Sequence, residues 1–259
     1  DALSAKPNDF VEAALLVRAG MVESRHRAIA AIVGPDGKLF AELGAAKRLI
    51  YPRSAVKPLQ AVAMQRAGLR LTGAELAIST ASHQGTPEHI RLVQSILTNS
   101  GLTEAALQCP LAWPGNTEAR AVATAQSRIA FNCSGKHAGF LAASVAAGWS
   151  TNDYLAPTHP LQQLILEVLE EYSGEPIVNS TIDGCGAPLH TNTVEGLARA
   201  IGKFAATDRE IFDAMVGNAW AVGDQNSADA VVMRATGFVA KIGAEGVFVI
   251  GAPEGYGVA

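Results

Sequence analysis

Apolar positions recur along the chain in two rhythms, and their order predicts an architecture. Residues 13–19 (AALLVRA) and 27–33 (RAIAAIV) are short apolar runs that read as strands. After the second come GPDGK and then LFAEL at 39–43, a turn between two strand-like runs, which predicts a hairpin. From residue 54 the period lengthens: Val56, Leu59, Val62 and Ala63 share one face of a helix over 54–67. A second helix is predicted at 87–100, opened by Thr86-Pro87 with Glu88 in its first turn. Two more follow near 136–148 and 160–173, the latter stopped by Gly174, and another covers 193–205. Then the strand rhythm returns. GFVAKIG and EGVFVIGAP pair around Gly243 to Gly246, and YGVA reads as the start of a third strand. Strands at both ends and helices between predict an α+β fold. Its mixed or antiparallel sheet is built from the two chain ends, with a helical region inserted. The expectation is one catalytic domain over 1–259, with a sheet lobe at about 10–52 and 230–259 and a helical lobe at about 53–229. A site would lie in the crevice between these parts.

Composition narrows the classes. With 49% apolar residues in 259, the chain can bury a substantial core, and a disordered reading fails. The net charge is −4 and Lys and Arg are scattered, which argues against nucleic acid and anionic membrane surfaces as partners. No apolar run is long enough to span a bilayer, and the N-terminus lacks the basic-then-apolar form of a signal peptide. Three cysteines suit a reducing compartment better than a disulfide scaffold, so the expected location is the cytoplasm.

The first candidate chemistry is RSAVKPLQA at 53–61. Ser54 and Lys57 are three apart, hence on one helical face. Pro58 cannot donate to the carbonyl of Ser54, so the regular helix begins about there and Ser54 sits at its N-terminus. A desolvated lysine loses its proton more readily and acts as a base, which gives a Ser-x-x-Lys nucleophile. The plainer alternative is an N-cap serine and a lysine reaching to solvent. AKIGAEG places Lys241 two residues before Gly243 on a strand, the order of elements seen in penicillin-recognising serine hydrolases. Ser82, in the small-residue loop STASHQGTPEH, is a candidate second hydroxyl; Ser79, Ser82 and Thr86 also fit as turn or cap residues.

A second cluster is thiol-rich. FNCSGKHAGFLAAS crowds Cys133, Lys136 and His137 at a helix start, and DGCGAPLH sets Cys185 between two glycines just after Asp183. Cysteines in polar loops differ from core cysteines among apolar neighbours. If the loops meet, two thiolates plus a nitrogen would bind zinc; otherwise they are two free thiols and a surface lysine. Cys109 reads as structural, His26, His83 and His89 as packing or polar-rim residues, and His159-Pro160 as a helix start.

VESRHR (22–27), RSAVKPLQA (53–61), FNCSGKHAGFLA (131–142), IDGCGAPLH (182–190) and AKIGAEGV (240–247) together resemble the rhizobial-type L-asparaginases, through nearly the whole chain. The resemblance implies a fold related to serine β-lactamases, penicillin-binding proteins and serine-dependent glutaminases. It implies Ser54 and Lys57 as the first nucleophile–base pair, and Lys241 with a second serine, best matched by Ser82. It implies Cys133, Lys136 and Cys185 as zinc ligands, and Arg53, His137 and Asp183 as residues that grip the substrate, L-asparagine. It further implies a homodimer, and a strand and helix following YGVA, where this sequence ends. The competing readings are a glutaminase or penicillin-recognising hydrolase of the same fold, and a zinc- or amino-acid-binding protein without turnover. Ammonia release from each amide, penicillin labelling and metal content separate them.

Overall fold

The computed structural model describes residues 3–259. The chain opens with a hairpin of β1 (Val11–Arg18) and β2 (Met21–Ala28), paired antiparallel. Its two-residue turn, Ala19-Gly20, has both residues at positive φ, as a primed turn requires. The polar stretch 21–26 predicted no strand, yet it forms most of β2, and 27–33 is broken at Ile29 into the end of β2 and β3 (Ala30–Val33). The reason is that this hairpin buries little: Leu15, Leu16 and Val17 are exposed. Backbone pairing and cross-strand ion pairs such as Arg25–Glu12 at 2.5 Å define it, so no apolar period marks its second strand.

β3 turns back into β4 (Leu39–Leu43), the predicted hairpin, and β5 (Leu49–Ile50) leads out of the sheet. A 3₁₀ turn over Arg53–Val56 precedes α1 (Lys57–Arg66). Then come α2 (Gly73–Ser79), α3 (Pro87–Asn99), α4 (Thr117–Val122), α5 (Ser134–Ala147) and α6 (Pro160–Ser173). Short strands β6 (Ser180–Ile182), β7 (Pro188–His190) and β8 (Asn192–Thr193) lead to α7 (Val194–Thr207). The helical part closes with α8 (Arg209–Gly217), α9 (Ala219–Val222) and α10 (Ala228–Thr236). The return to strand is β9 (Val239–Ile242), β10 (Phe248–Gly251) and β11 (Gly257–Val258).

The α+β expectation holds. The main sheet has five antiparallel strands in the order β4-β3-β11-β10-β9, so it is built from both chain ends. The YGVA segment lies at its centre: β11 joins β3 to β10, and Ala31 and Ala259 exchange backbone hydrogen bonds of 3.0 and 3.1 Å. α7 packs across β3, β10 and β11 with an apolar face of Leu197, Ala198 and Ile201. On the far side of α7 lies an all-helical core. Each Leu, Ile or Phe fully buried there contributes roughly 1.5–3 kcal/mol.

Two helices are buried all round. In the helix expected over 54–67, burial extends beyond the one apolar face: every residue of α1 from Lys57 to Met64 is buried, Lys57 and Gln60 included. α5 is buried from Ser134 to Ser144, Lys136 and His137 included. The candidate site residues Lys57, Lys136 and His137 come from these two interior helices. Among the described residues, no helix is long and apolar enough to cross a membrane.

Candidate active site

β5 passes the chain through Tyr51-Pro52 into the 3₁₀ turn that carries Arg53 and Ser54. Arg53 has φ +53°, a left-handed conformation that costs a side-chain-bearing residue of order 1–2 kcal/mol. Such strain persists only where the surroundings fix it. Arg53 Nε donates to Asp183 Oδ1 at 2.8 Å, so two residues assigned from sequence to opposite ends of a ligand are bound to each other. Asp183 opens the tight turn between β6 and β7, closed by Gly186 N–H to Asp183 O at 2.8 Å. Ser54 is half-buried, and no hydrogen bond engages its hydroxyl among the described residues. Gly243, at the end of β9, lies against this turn. A Cβ there would stand 2.6 Å from Pro52 O, so the Lys-x-Gly strand can approach Ser54 only with glycine at that position.

Lys57 is one turn beyond Ser54, and its amine is directed elsewhere. Lys57 Nζ lies 3.0 Å from Ser82 Oγ, donates to Ala81 O, and is 3.1 Å from Cys133 Sγ. From the other side, Lys241 Nζ is 3.2 Å from the same Ser82 Oγ. The sequence had paired Lys57 with Ser54 and Lys241 with Ser82; the structure sets Ser82 between the two lysines. The loop holding Ser82 is tied on both flanks. Ser82 N–H donates to Val222 O at 2.8 Å, and His83 N–H to Asn132 O at 3.0 Å. His83 Nδ1 accepts from Gly85 N–H, which leaves Nε2 as the donor to Ser134 Oγ at 2.8 Å. Burial, then the charges of His89 and Lys57, pushes His83 well below its ordinary value, so the ring is a neutral strut.

The thiol-rich loops do meet. Gly135, in the first turn of α5, lets that helix reach α2, since a Cβ there would be 2.3 Å from Ile78 O. Cys133, Lys136 and Cys185 are all buried, and Lys136 Nζ is 3.0 Å from Cys185 Sγ. The neighbouring Cys185 thiol, and then the amines of Lys57 and Lys136, holds the Cys133 thiol well below its usual range, while Cys185 is raised. Burial works against charge on Lys136, but the sulfurs of Cys185 and Cys133 more than reverse it. Among the described residues, no three His, Cys, Asp or Glu side chains gather as a metal site, so a metal here would need the amine. Two sulfurs and a nitrogen buried in one region would supply the donor types of a thiophilic divalent ion, with the lysine proton displaced on binding.

His137 has no exposed surface. Its Nδ1 hydrogen-bonds Tyr154 OH at 2.8 Å, and Nε2 is buried without a partner among the described residues. Burial, with Lys136 and Lys57 nearby, keeps its ring neutral. Asp229, on α10, is a residue the sequence reading missed. It is wholly buried and pairs with Lys241 at 3.3 Å. A cavity of about 880 Å³ is lined by Arg27, Tyr51, Arg53, Asp183 and Phe248 among others. Its lining includes Arg53 and Asp183, but not Ser54, Ser82, Lys57 or Lys241.

The sequence matches a family described as L-asparaginase II over residues 14–259. No curated protein matches it. Among solved structures, a β-lactamase from Mycobacterium bovis is similar at 17% identity, covering 89% of this chain and 84% of its own, with a TM-score of 0.34.

The strain at Arg53 can be measured apart from its ion pair. Arg53→Ala and Arg53→Gly both lose the contact to Asp183, but only glycine relieves the positive φ. The glycine variant is expected to be the more stable by about 0.5–1 kcal/mol in urea unfolding. An alanine variant of equal or greater stability would show that the turn carries no strain.

Proposed function

The chain belongs to the L-asparaginase II family and is an L-asparaginase, and from that premise we propose that it cleaves the side-chain amide of asparagine through an acyl-enzyme on Ser54. The observation that carries this reading is the amine–hydroxyl–amine chain Lys57–Ser82–Lys241, with contacts of 3.0 and 3.2 Å, set beside a hydroxyl with no hydrogen bond at Ser54. Ser82 is committed between two amines and suits proton relay. Ser54 is uncommitted, partly exposed, and adjacent to Arg53, which suits attack.

The substrate's α-carboxylate pairs with Arg53 and its ammonium with Asp183, a cation and an anion already side by side. His137, whose Nε2 has no partner among the described residues, is the third residue given a part in substrate binding. Lys57, one turn after Ser54, takes the hydroxyl proton as the substrate settles; such contacts commonly tighten only in the bound complex. Ser54 Oγ bonds the amide carbon, and the carbonyl oxygen becomes an oxyanion. Gly243 N–H is already given to Val247 O at 2.7 Å, so the Ser54 N–H is the donor left for that oxyanion. The C–N bond then breaks, and ammonia leaves with a proton relayed through Ser82. Water adds to the ester, the C–Oγ bond breaks, and aspartate is released with the Ser54 hydroxyl restored.

Cys133, Lys136 and Cys185 would hold zinc. Bound there, it would supply a fixed charge that anchors the turn bearing Asp183, aiding substrate binding rather than the chemical step. We place the protein in the reducing cytoplasm, because all three cysteines are buried and free. We also read it as a homodimer, with the exposed apolar hairpin β1–β2 as surface for a second copy; sedimentation as a monomer would remove that part.

In an ammonia-release assay, Ser54→Ala is expected to lose about three or more orders of magnitude in kcat with the fold retained, and Ser82→Ala to be strongly impaired. A folded Ser54→Ala protein at the wild-type rate would sink the mechanism. Glutamine carries one extra methylene, for which a shaped pocket discriminates by roughly 10–200-fold. Equal kcat/KM for both amides would make the protein as much a glutaminase.

Cys133→Ser and Cys185→Ser are each expected to abolish zinc retention in metal analysis and to raise KM for asparagine. Unchanged metal content in both would show the ligands to be misassigned. Loss of kcat with KM unchanged would give the metal a part in the chemical step.

A further inference from the structure

Asp229 has a place in the site that the mechanism above leaves unused. Its side chain has no exposed surface, and both oxygens are fixed: Oδ1 accepts from Ala230 N–H at 3.0 Å, and Oδ2 from Lys241 Nζ at 3.3 Å and Ile242 N–H at 3.4 Å. Lys241 Nζ has three oxygen neighbours: Ile242 O at 2.8 Å, Ser82 Oγ at 3.2 Å and Asp229 Oδ2. An ammonium has three N–H groups and meets three acceptors. A neutral amine would leave a buried carboxylate with no countercharge, which is the costlier arrangement.

We propose that Asp229 is a positioning residue whose carboxylate holds Lys241 as the ammonium that donates to Ser82 Oγ. The Ser82 oxygen then accepts from Lys241 and from Lys57, 3.0 Å away, so its own proton is left to be given to the leaving ammonia. A relay through Ser82 thus has one direction built in. The inference rests on the part given above to Ser82.

The charged and titratable groups acting on Lys241 agree with this. Burial lowers its pKa to about 8; Asp229 on α10 opposes that fall, Lys57 on α1 adds to it, and Cys133 ahead of α5 opposes it weakly. The ammonium is present below about 8 and lost as pH rises through that value. Activity that needs it fades on the alkaline side. Without the Asp229 charge the amine gives up its proton earlier, so the fade moves to lower pH.

The test is ammonia release from asparagine by Asp229→Asn across the pH range, with Ser82→Ala, Lys241→Met and the double variant Asp229→Asn/Lys241→Met in parallel. The inference expects Asp229→Asn to lower kcat by about tenfold or more, to leave KM within about threefold, and to shift the alkaline limb to lower pH. A wild-type kcat and pH profile would overturn it, as would a fall in kcat with the limb unmoved. If the single variant does not fold, the double removes both charges and restores neutrality. Acting through Lys241, the Asp229 change should then alter kcat by less than about twofold on the Lys241→Met background. A further large loss there would overturn the proposal. Ser82→Ala at the wild-type rate would remove the underlying reading as well; an impaired Ser82→Ala beside a normal Asp229→Asn would remove this inference alone.

Discussion

Three lysines share one interior region with almost no access to water: Lys57, Lys136 and Lys241, at 1%, 2% and 0% exposure. An ammonium in such surroundings costs several kcal/mol unless opposite charge and hydrogen-bond acceptors meet it. The site is organised by that demand. The Lys241 ammonium is met by Asp229 and the Lys136 amine by the sulfur of Cys185, while the Lys57 amine lies among a backbone carbonyl, a hydroxyl and the sulfur of Cys133. These partners come from α10, the loop between β6 and β7, the loop before α3 and the start of α5. The interior is therefore held together by the groups that would also do chemistry, and a change to any one leaves a neighbour's charge unanswered.

The antiparallel sheet and the helical core are joined at this point. β9 brings Lys241 on its inner side and Gly243 against the turn that carries Ser54. α1 and α5, buried on all sides, bring Lys57 and Lys136 to the same region from within the core. The Arg53–Asp183 pair lines a cavity of about 880 Å³, whereas Lys57 and Lys241 are enclosed and are not among its lining residues. In the proposed mechanism this sets substrate binding at the partly exposed ion pair and proton transfer in the interior.

Much of this was legible in the sequence, and for identifiable reasons. Ser54 and Lys57 are marked by their spacing and by Pro58, Lys241 by a strand ending in glycine, and Cys133 and Cys185 by standing in polar loops. The structure brings all of these together. The partner choice was not legible. Helical spacing sets Ser54 and Lys57 on one face, but a four-carbon side chain goes where acceptors are, and those belong to segments 25 and 76 residues away. Asp229 reads as an ordinary acid in the first turn of a helix, because its burial depends on β9 packing over it. Strand β2 was hidden because its hairpin buries too little to impose an apolar period. Helices α8, α9 and α10 are short and separated by Gly217-Asn218 and Gly223, which break the pattern before it can be counted.

The claim on which the account turns is that Ser54, the uncommitted hydroxyl, carries the acyl group, and that Ser82 does not. Rapid acid quench during turnover of asparagine, followed by proteolysis and peptide mass mapping, reads this directly. The account predicts an aspartyl ester on the peptide bearing Ser54, absent when glycine replaces asparagine in the reaction. An ester found on Ser82 instead would contradict it.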